Sequence, residues 1–140
     1  MRVVIDTNIL VSAFASRSGY PATALDFWIA GRYELVTSNW QIEEFRRVSR
    51  RERVKKRIDR AEVGTFVSAL RRYATVMDEL PEVDISPDPD DNFIIASAIT
   101  GEAQYIVSGD KRGMLDLQKV QGIPIITARE LVQLFVKSGQ

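Results

Sequence analysis

Short apolar runs rich in β-branched residues alternate along this chain with longer stretches of helical periodicity. The runs occupy residues 2–5, 34–37, 74–77, 104–107 and 124–126, and each is short enough for a buried strand. Strands that alternate with helices favour an α/β fold with a parallel, doubly wound sheet and right-handed crossovers. Ligands of such sheets bind beyond the carboxyl ends of the strands, near the point where strand order reverses.

Helix-start signals separate these strands. Ser38 with Gln41 and Thr127 with Glu130 form capping boxes, and Asp59 with Glu62 indicates a further helix start. The acidic stretch 80–90 contains proline and is predicted to be a loop. Residues 92–98 are apolar on almost every side, which predicts an internal helix.

The absence of histidine and cysteine restricts the available chemistry. It excludes imidazole bases, thiolate nucleophiles and N/S zinc sites, and leaves carboxylates suited to hard cations. The 140 residues are expected to form one domain, 1–140. Neither a membrane span nor a signal peptide is recognisable, so we expect a cytoplasmic protein.

Acidic residues cluster where the predicted secondary structure changes. The stretches are Asp6-Thr7-Asn8, Glu43-Glu44, Asp88-Pro89-Asp90-Asp91 and Ser108-Gly109-Asp110. Two of them follow predicted strands, so these carboxylates could converge at one edge of the sheet. The alternatives are ordinary: Asp favours turns and helix N-caps, acids favour helix N-termini, and a helical Glu is usually solvated.

Helical periodicity singles out individual acids within two of these stretches. Ile42, Phe45 and Val48 define an apolar stripe that places Glu44 on its border and Glu43 opposite. In the later cluster, Asp91 leads directly into the internal helix and is expected to point inward.

Charge is segregated along the chain although the formal net charge is zero. Residues 46–60 contain nine Lys and Arg and two acids, whereas residues 78–91 contain seven acids and no base. The basic segment either contacts a polyanion or forms a solvated helical face.

The ordered set Asp6-Thr7-Asn8, Ser38 to Glu44, Asp88 to Asp91 before an apolar helix, and Ser108-Gly109-Asp110-Lys111 resembles the PIN-domain family of metal-dependent nucleases. The likeness is greatest to the small prokaryotic branch of VapC-like toxin ribonucleases. It implies a three-layer α/β/α sandwich with a central parallel sheet, and Mg²⁺ or Mn²⁺ held by acids equivalent to Asp6, Glu44, Asp91 and Asp110.

The resemblance also implies hydrolysis of RNA phosphodiesters by metal-activated water. Asn8, Ser108 and Lys111 are candidates for positioning substrate or ligands. Two departures from the family pattern concern the last motif: Ser108 stands where threonine is usual, and Lys111-Arg112-Gly113-Met114-Leu115 replaces an acidic, double-leucine continuation.

The resemblance implies a cognate antitoxin, and the aromatic residues Trp28, Tyr33 and Trp40 suggest a homodimer interface, with core packing as the alternative. Other functions remain open: a stand-alone RNA-processing nuclease, or an inactive PIN-like RNA-binding or scaffold protein. A haloacid-dehalogenase-like phosphatase is disfavoured, because it needs a second acid where this chain has Asn8.

Overall fold

A computed structural model describes residues 1–110 and 113–137 of the chain. The described residues form six strands and eight helices. The strands are β1 Arg2–Ile5, β2 Glu34–Ser38, β3 Thr75–Met77, β4 Tyr105–Val107, β5 Lys119–Val120 and β6 Ile123–Ile126. The helices are α1 Thr7–Ala15, α2 Tyr20–Ile29, α3 Asn39–Ser49, α4 Glu52–Lys55, α5 Arg60–Tyr73, α6 Pro89–Thr100, α7 Met114–Leu117 and α8 Ala128–Lys137.

The strands form one sheet in the order β3-β2-β1-β4-β6-β5. All neighbours pair in parallel except β5 and β6, which are antiparallel. The chain leaves β1 toward β2 on one side and later returns to β4 on the other. The carboxyl ends of β1 and β4 therefore form the topological switch point of the sheet.

Both faces of the sheet are covered by helices, because alternate strand residues feed two separate apolar clusters. Val3 and Ile5 pack with α1, α2, α3, α5 and α8, whereas Val4 packs with α6 and α7. Leu35 and Val36 divide between the two clusters in the same way. The predicted three-layer α/β/α sandwich is confirmed.

All five predicted strands are present, and three details differ from the predictions. The described residues add α7 and the short β5, and α6 begins at Pro89 within the predicted acidic loop. Lys119 and Val120 pair with only two residues of β6, so they carry too little pattern for prediction as a strand. None of the helices in the described ranges is long and apolar enough to cross a membrane.

Gln41 fixes α3 against the ends of two strands. Its backbone N–H donates to Ser38 Oγ at 3.0 Å, which is half of the predicted capping box. Its side chain does not complete that box. The buried Gln41 Nε2 instead donates to the Ile5 carbonyl at 2.6 Å, and Gln41 Oε1 accepts from Thr37 Oγ1 at 2.6 Å. This amide therefore sets the position from which α3 presents its acidic residues.

We expect Gln41→Leu to lower the free energy of unfolding by roughly 2–4 kcal/mol, because it leaves the buried Ile5 carbonyl and Thr37 hydroxyl without this partner. Urea denaturation measures the change. The matched control is Gln133→Leu on half-buried Gln133 of α8, which should change stability by about 0.5 kcal/mol or less. Equal effects of the two substitutions would contradict a structural role for the Gln41 amide.

Candidate active site

A small pocket of about 120 Å³ opens at the switch point of the sheet. Six acidic side chains line it, and they come from four separate stretches of the chain: Asp6, Glu44, Asp88, Asp90, Asp91 and Asp110. Thr7, Asn8, Val48 and Arg51 complete the lining. The structure thus brings Asp6, Glu44, Asp91 and Asp110 together, although up to 104 residues separate them in sequence.

Asp6 follows β1 directly and is held by the last residue of the neighbouring strand β4 and by the residue after it. Its backbone N–H donates to the Val107 carbonyl at 2.8 Å, and its Oδ2 accepts from Ser108 Oγ at 3.1 Å. Burial raises the pKa of the Asp6 carboxyl from 3.8 to about 6, and the Ser108 hydrogen bond opposes part of this rise. The negative charges of Asp91 and Asp110 raise this pKa further.

Glu44 is the buried member of the Glu43-Glu44 pair, as helical periodicity predicted. Glu43 is exposed and pairs with Arg71 at 3.4 Å, whereas Glu44 is 7% exposed and accepts a hydrogen bond from Thr7 Oγ1. Burial raises the pKa of the Glu44 carboxyl to about 7, against the lowering effect of the Thr7 hydrogen bond. Arg47, whose Nη2 lies 3.9 Å from Glu44 Oε2, also lowers it.

Asp91 lies in the first turn of α6 and points inward, as its position before the apolar helix predicted. Its Oδ2 accepts from the buried Ser86 Oγ at 2.9 Å, and burial raises its pKa. Asp88 is the N-cap of the same helix and accepts from the Asp90 backbone N–H at 3.0 Å. Asp88 and Asp90 also line the pocket, so the start of α6 contributes three carboxylates in all.

Asp110 is exposed, and hydrogen bonds within the turn that follows β4 fix its position. Its backbone N–H donates to Ser108 Oγ at 3.2 Å, and its Oδ1 accepts from the Gly113 N–H at 3.1 Å. A Cβ atom at position 113 would overlap the Asp110 carboxylate. Glycine at this position therefore permits the close approach that holds Asp110 at the pocket.

The three predicted positioning residues have different outcomes. Asn8 is exposed and lines the pocket, where it can reach a bound molecule. Ser108 is fully buried, donates to the Asp6 carboxylate and accepts from the Asp110 backbone N–H, so it is placed to orient these two residues and not to contact a bound molecule. Lys111 lies outside the described residues.

Three residues of the site were not singled out from the sequence. Thr7 and Ser86 donate to carboxylates of the pocket, and Arg51 is a cation within its lining. Thr7 has a local signal, because it follows Asp6 in the first acidic stretch. Arg51 belongs to the basic segment 46–60, but only the folded chain brings it to the acids, and Ser86 has no local signal.

Carboxylate oxygens are the ligands that Mg²⁺ and Mn²⁺ prefer. A pocket of about 120 Å³ has room for a cation together with bound water. In the side-chain positions described for residues 1–110 and 113–137, no group of three acidic residues is already arranged to hold an ion. Oxygen chemistry and crowded negative charge thus suit a divalent cation, and binding one requires the carboxylates to turn toward it.

We expect Asp6→Asn to stabilise the metal-free protein. Because the folded-state pKa of Asp6 is raised from 3.8 to about 6, the cost of its ionisation builds up between these two pH values and is constant above them, at about 1–3 kcal/mol. The advantage of the variant should therefore be nearly complete at pH 8 and at pH 6, and should fall to a small fraction near pH 4. Urea denaturation in EDTA at these three pH values measures it.

The control for this prediction is Asp26→Asn, which removes the same charge from the exposed face of α2. It should change stability little at any of the three pH values. If Asp6→Asn is no more stable than the wild type at pH 8, the buried Asp6 charge does not lower the free energy of unfolding.

Comparison with known proteins places this geometry in context. Curated proteins give no significant match to the sequence. Among solved structures, the fold is similar to a chain of VapBC2 from Rickettsia felis bound to a DNA fragment from their promoter, with a TM-score of 0.60. The likeness covers 89% of this chain and 97% of that chain at 15% sequence identity, which shows a shared fold. The PIN domain family model matches residues 2–112, most of the sequence, and the chain therefore belongs to the PIN domain family.

Proposed function

We propose that this protein is a Mg²⁺- or Mn²⁺-dependent endoribonuclease, in a single domain spanning residues 1–140, and the toxin of a toxin–antitoxin pair. Proteins of the PIN domain family are generally nucleases. The observation that carries the proposal is the convergence of Asp6, Glu44, Asp91 and Asp110 on one pocket at the switch point. These four carboxylates are the residues that would hold the cation.

A bound divalent cation would activate a water molecule and offset the charge that develops on the phosphate. The protein's own contribution is to bring the carboxylates to one pocket and to place a hydrogen-bond donor beside three of them. Thr7, Ser86 and Ser108 donate to Glu44, Asp91 and Asp6 respectively. These neutral donors orient the acids without adding positive charge that would compete with a cation.

Substrate must approach a pocket that is strongly negative. Arg51 lines the pocket and can pair with a phosphate oxygen, while exposed Asn8 can hydrogen-bond a sugar or base. Arg51 thus offsets part of the repulsion between the phosphodiester and the acids. RNA is proposed as the substrate on the strength of family membership and of the likeness to a VapBC2 chain.

We expect the purified protein to cleave single-stranded RNA in Mn²⁺ and not in EDTA. Asp6→Asn should reduce the cleavage rate by at least about 10²-fold, because it removes a cation ligand. Thr7→Val should reduce the rate by roughly 10–100-fold, because Glu44 loses the donor that orients it. Gel-based cleavage of several labelled RNAs measures both changes.

The matched control is Thr65→Val on the exposed face of α5, which should leave the rate unchanged. Full activity of Asp6→Asn would refute the assignment of the site. Tight RNA binding without cleavage in any divalent metal would favour the inactive RNA-binding alternative.

The aromatic residues that suggested a homodimer interface, Trp28, Tyr33 and Trp40, pack within the protein instead. Trp28 and Tyr33 are buried in the core, and the Tyr33 hydroxyl donates to the Ala24 carbonyl at 2.6 Å. Trp40 stacks on Phe93 with ring centroids 4.3 Å apart. A homodimer is therefore proposed through two exposed apolar side chains that line one surface depression, Ile29 at 74% and Tyr73 at 69% exposed.

We expect light scattering of the isolated protein to give twice the chain mass of 15.8 kDa. Ile29→Lys with Tyr73→Lys should yield monomer, because it adds charge to the apolar surface. Purification of the tagged protein from its native host should recover a small antitoxin as a second band. A monomeric wild type would exclude the dimer, and the absence of any small partner would favour a stand-alone nuclease.

A further inference from the structure

A large groove of about 960 Å³ lies between the end of α3, α4 and the part of α5 up to Ser68. It is built mainly from the basic segment of the sequence, of which the proposed function has so far used only Arg51. The residues that line it are Arg46, Ser49, Arg50, Lys55, Lys56, Ile58, Arg60, Val63, Gly64, Val67 and Ser68.

The groove is cationic at its walls and apolar at its floor. Five of the residues that line it are Lys or Arg, and none of the described lining residues is acidic. The apolar lining residues are Ile58 and Val67, which are buried, and Val63, which is half-buried. The folded chain thus gathers part of the basic segment into one concave surface, which distinguishes it from a uniformly solvated helical face.

Gly64 adds a second and independent observation. It lies inside α5, where glycine is about 1 kcal/mol less favourable than alanine. A Cβ atom at this position would meet no atom within 4 Å, so nothing within the described protein requires glycine there. A bare backbone on the wall of a groove allows a bound molecule to approach closely.

The groove adjoins the acidic pocket across the last turns of α3. Arg46, Ser49 and Arg50 line the groove, while Glu44, Val48 and the following Arg51 line the pocket. Of these two consecutive residues, Arg50 therefore faces the groove and Arg51 faces the pocket. A chain of negative charges can pass from one site to the other over these two guanidinium groups.

We propose that this groove binds the sugar-phosphate backbone of single-stranded RNA, as an extension of the path that leads to the acidic pocket. This rests on the proposed nuclease function. The cations pair with phosphates, the apolar floor accommodates ribose or base surfaces, and the bare backbone at Gly64 admits the strand. Recognition of this kind is independent of base sequence.

An acidic peptide is the competing occupant, and the groove suits it less well. Peptides dock as added strands on sheet edges, as helices in apolar grooves, as polyproline segments on aromatic surfaces, or as phosphorylated or acidic motifs on clusters of Arg, and only the last of these modes fits this groove. The described lining residues belong to helices and their connections, include no aromatic side chain and have cationic walls. RNA places a negative charge on every nucleotide, which matches cations contributed by three successive helices.

Two charge variants of equal size test the proposal. Lys56→Gln with Arg60→Gln removes two cations of the groove, and Arg53→Gln with Arg57→Gln removes two exposed cations of the same segment outside it. Binding of a fluorescent polyuridine oligonucleotide is measured by anisotropy at several salt concentrations. All proteins carry Asp6→Asn and are kept in EDTA, so that cleavage does not interfere.

The groove variant should bind on the order of 10-fold more weakly at low salt, and its salt slope should fall by about 1.4, because each phosphate contact on a single strand contributes about 0.7. The control variant should lose about 2-fold or less. Equal losses in the two variants, or no loss in either, would overturn the proposal.

The steric part of the proposal is tested at Gly64. Gly64→Leu places a large side chain in the groove and should weaken RNA binding several-fold, while helix propensity raises the melting temperature by about 2–4 °C. Thr65→Leu, on the same helix but outside the groove, is the control for a change in surface hydrophobicity. Unchanged RNA binding by the Gly64→Leu variant would overturn the close approach of the strand to α5.

The tests separate this proposal from the nuclease assignment. Groove-dependent binding without cleavage by the wild type in Mn²⁺ would leave the groove as an RNA site and refute the nuclease. Cleavage of RNA by the wild type, together with equal RNA binding by the groove and control variants, would refute only the proposed role of the groove. Displacement of the RNA by polyglutamate at a lower concentration than by unlabelled polyuridine would assign the groove to an acidic peptide instead.

Discussion

Concentration of like charge in a partly dehydrated pocket is the constraint on which the rest of this structure depends. Six carboxylates line a pocket of about 120 Å³, and burial raises the pKa of Asp6 to about 6 and of Glu44 to about 7. Such a cluster opposes folding, and it stays together because the rest of the scaffold holds it in place. The parallel pairing of β1 with β4 does so, because it fixes Asp6 through the Val107 carbonyl and the Ser108 hydroxyl.

Neutral donors orient these acids and leave most of their charge uncompensated. Thr7, Ser86 and Ser108 each donate to one buried carboxylate, and Gln41 holds α3 against the strand ends behind them. Buried arginine or lysine would have neutralised the pocket and abolished its affinity for cations. Oriented acids with residual negative charge are the combination that a hard divalent cation stabilises.

The two ends of α3 explain how one small fold carries surfaces of opposite sign. Gln41 fixes the first turn, Glu44 faces the acidic pocket, and Arg46 and Arg50 turn toward the basic groove. A zero net charge therefore conceals a pocket that attracts cations beside a groove that attracts anions. Arg51 lies between the pocket and the groove, and its positive charge offsets part of the negative charge of the pocket.

The sequence by itself determined the features that are local along the chain. Strand-forming runs, the complete Thr127–Glu130 capping box and the choice of Glu44 over Glu43 depend on residues within a few positions of each other, so their periodicity is visible without the fold. Tertiary structure alone decided the sheet order, the antiparallel β5, the partnership of Ser86 with Asp91 and the burial of Trp28. It also diverted the Gln41 side chain from its capping box to the Ile5 carbonyl, 36 residues away in sequence. These outcomes depend on which distant surfaces become neighbours, and that is set by the burial of the whole apolar core and not by any local pattern.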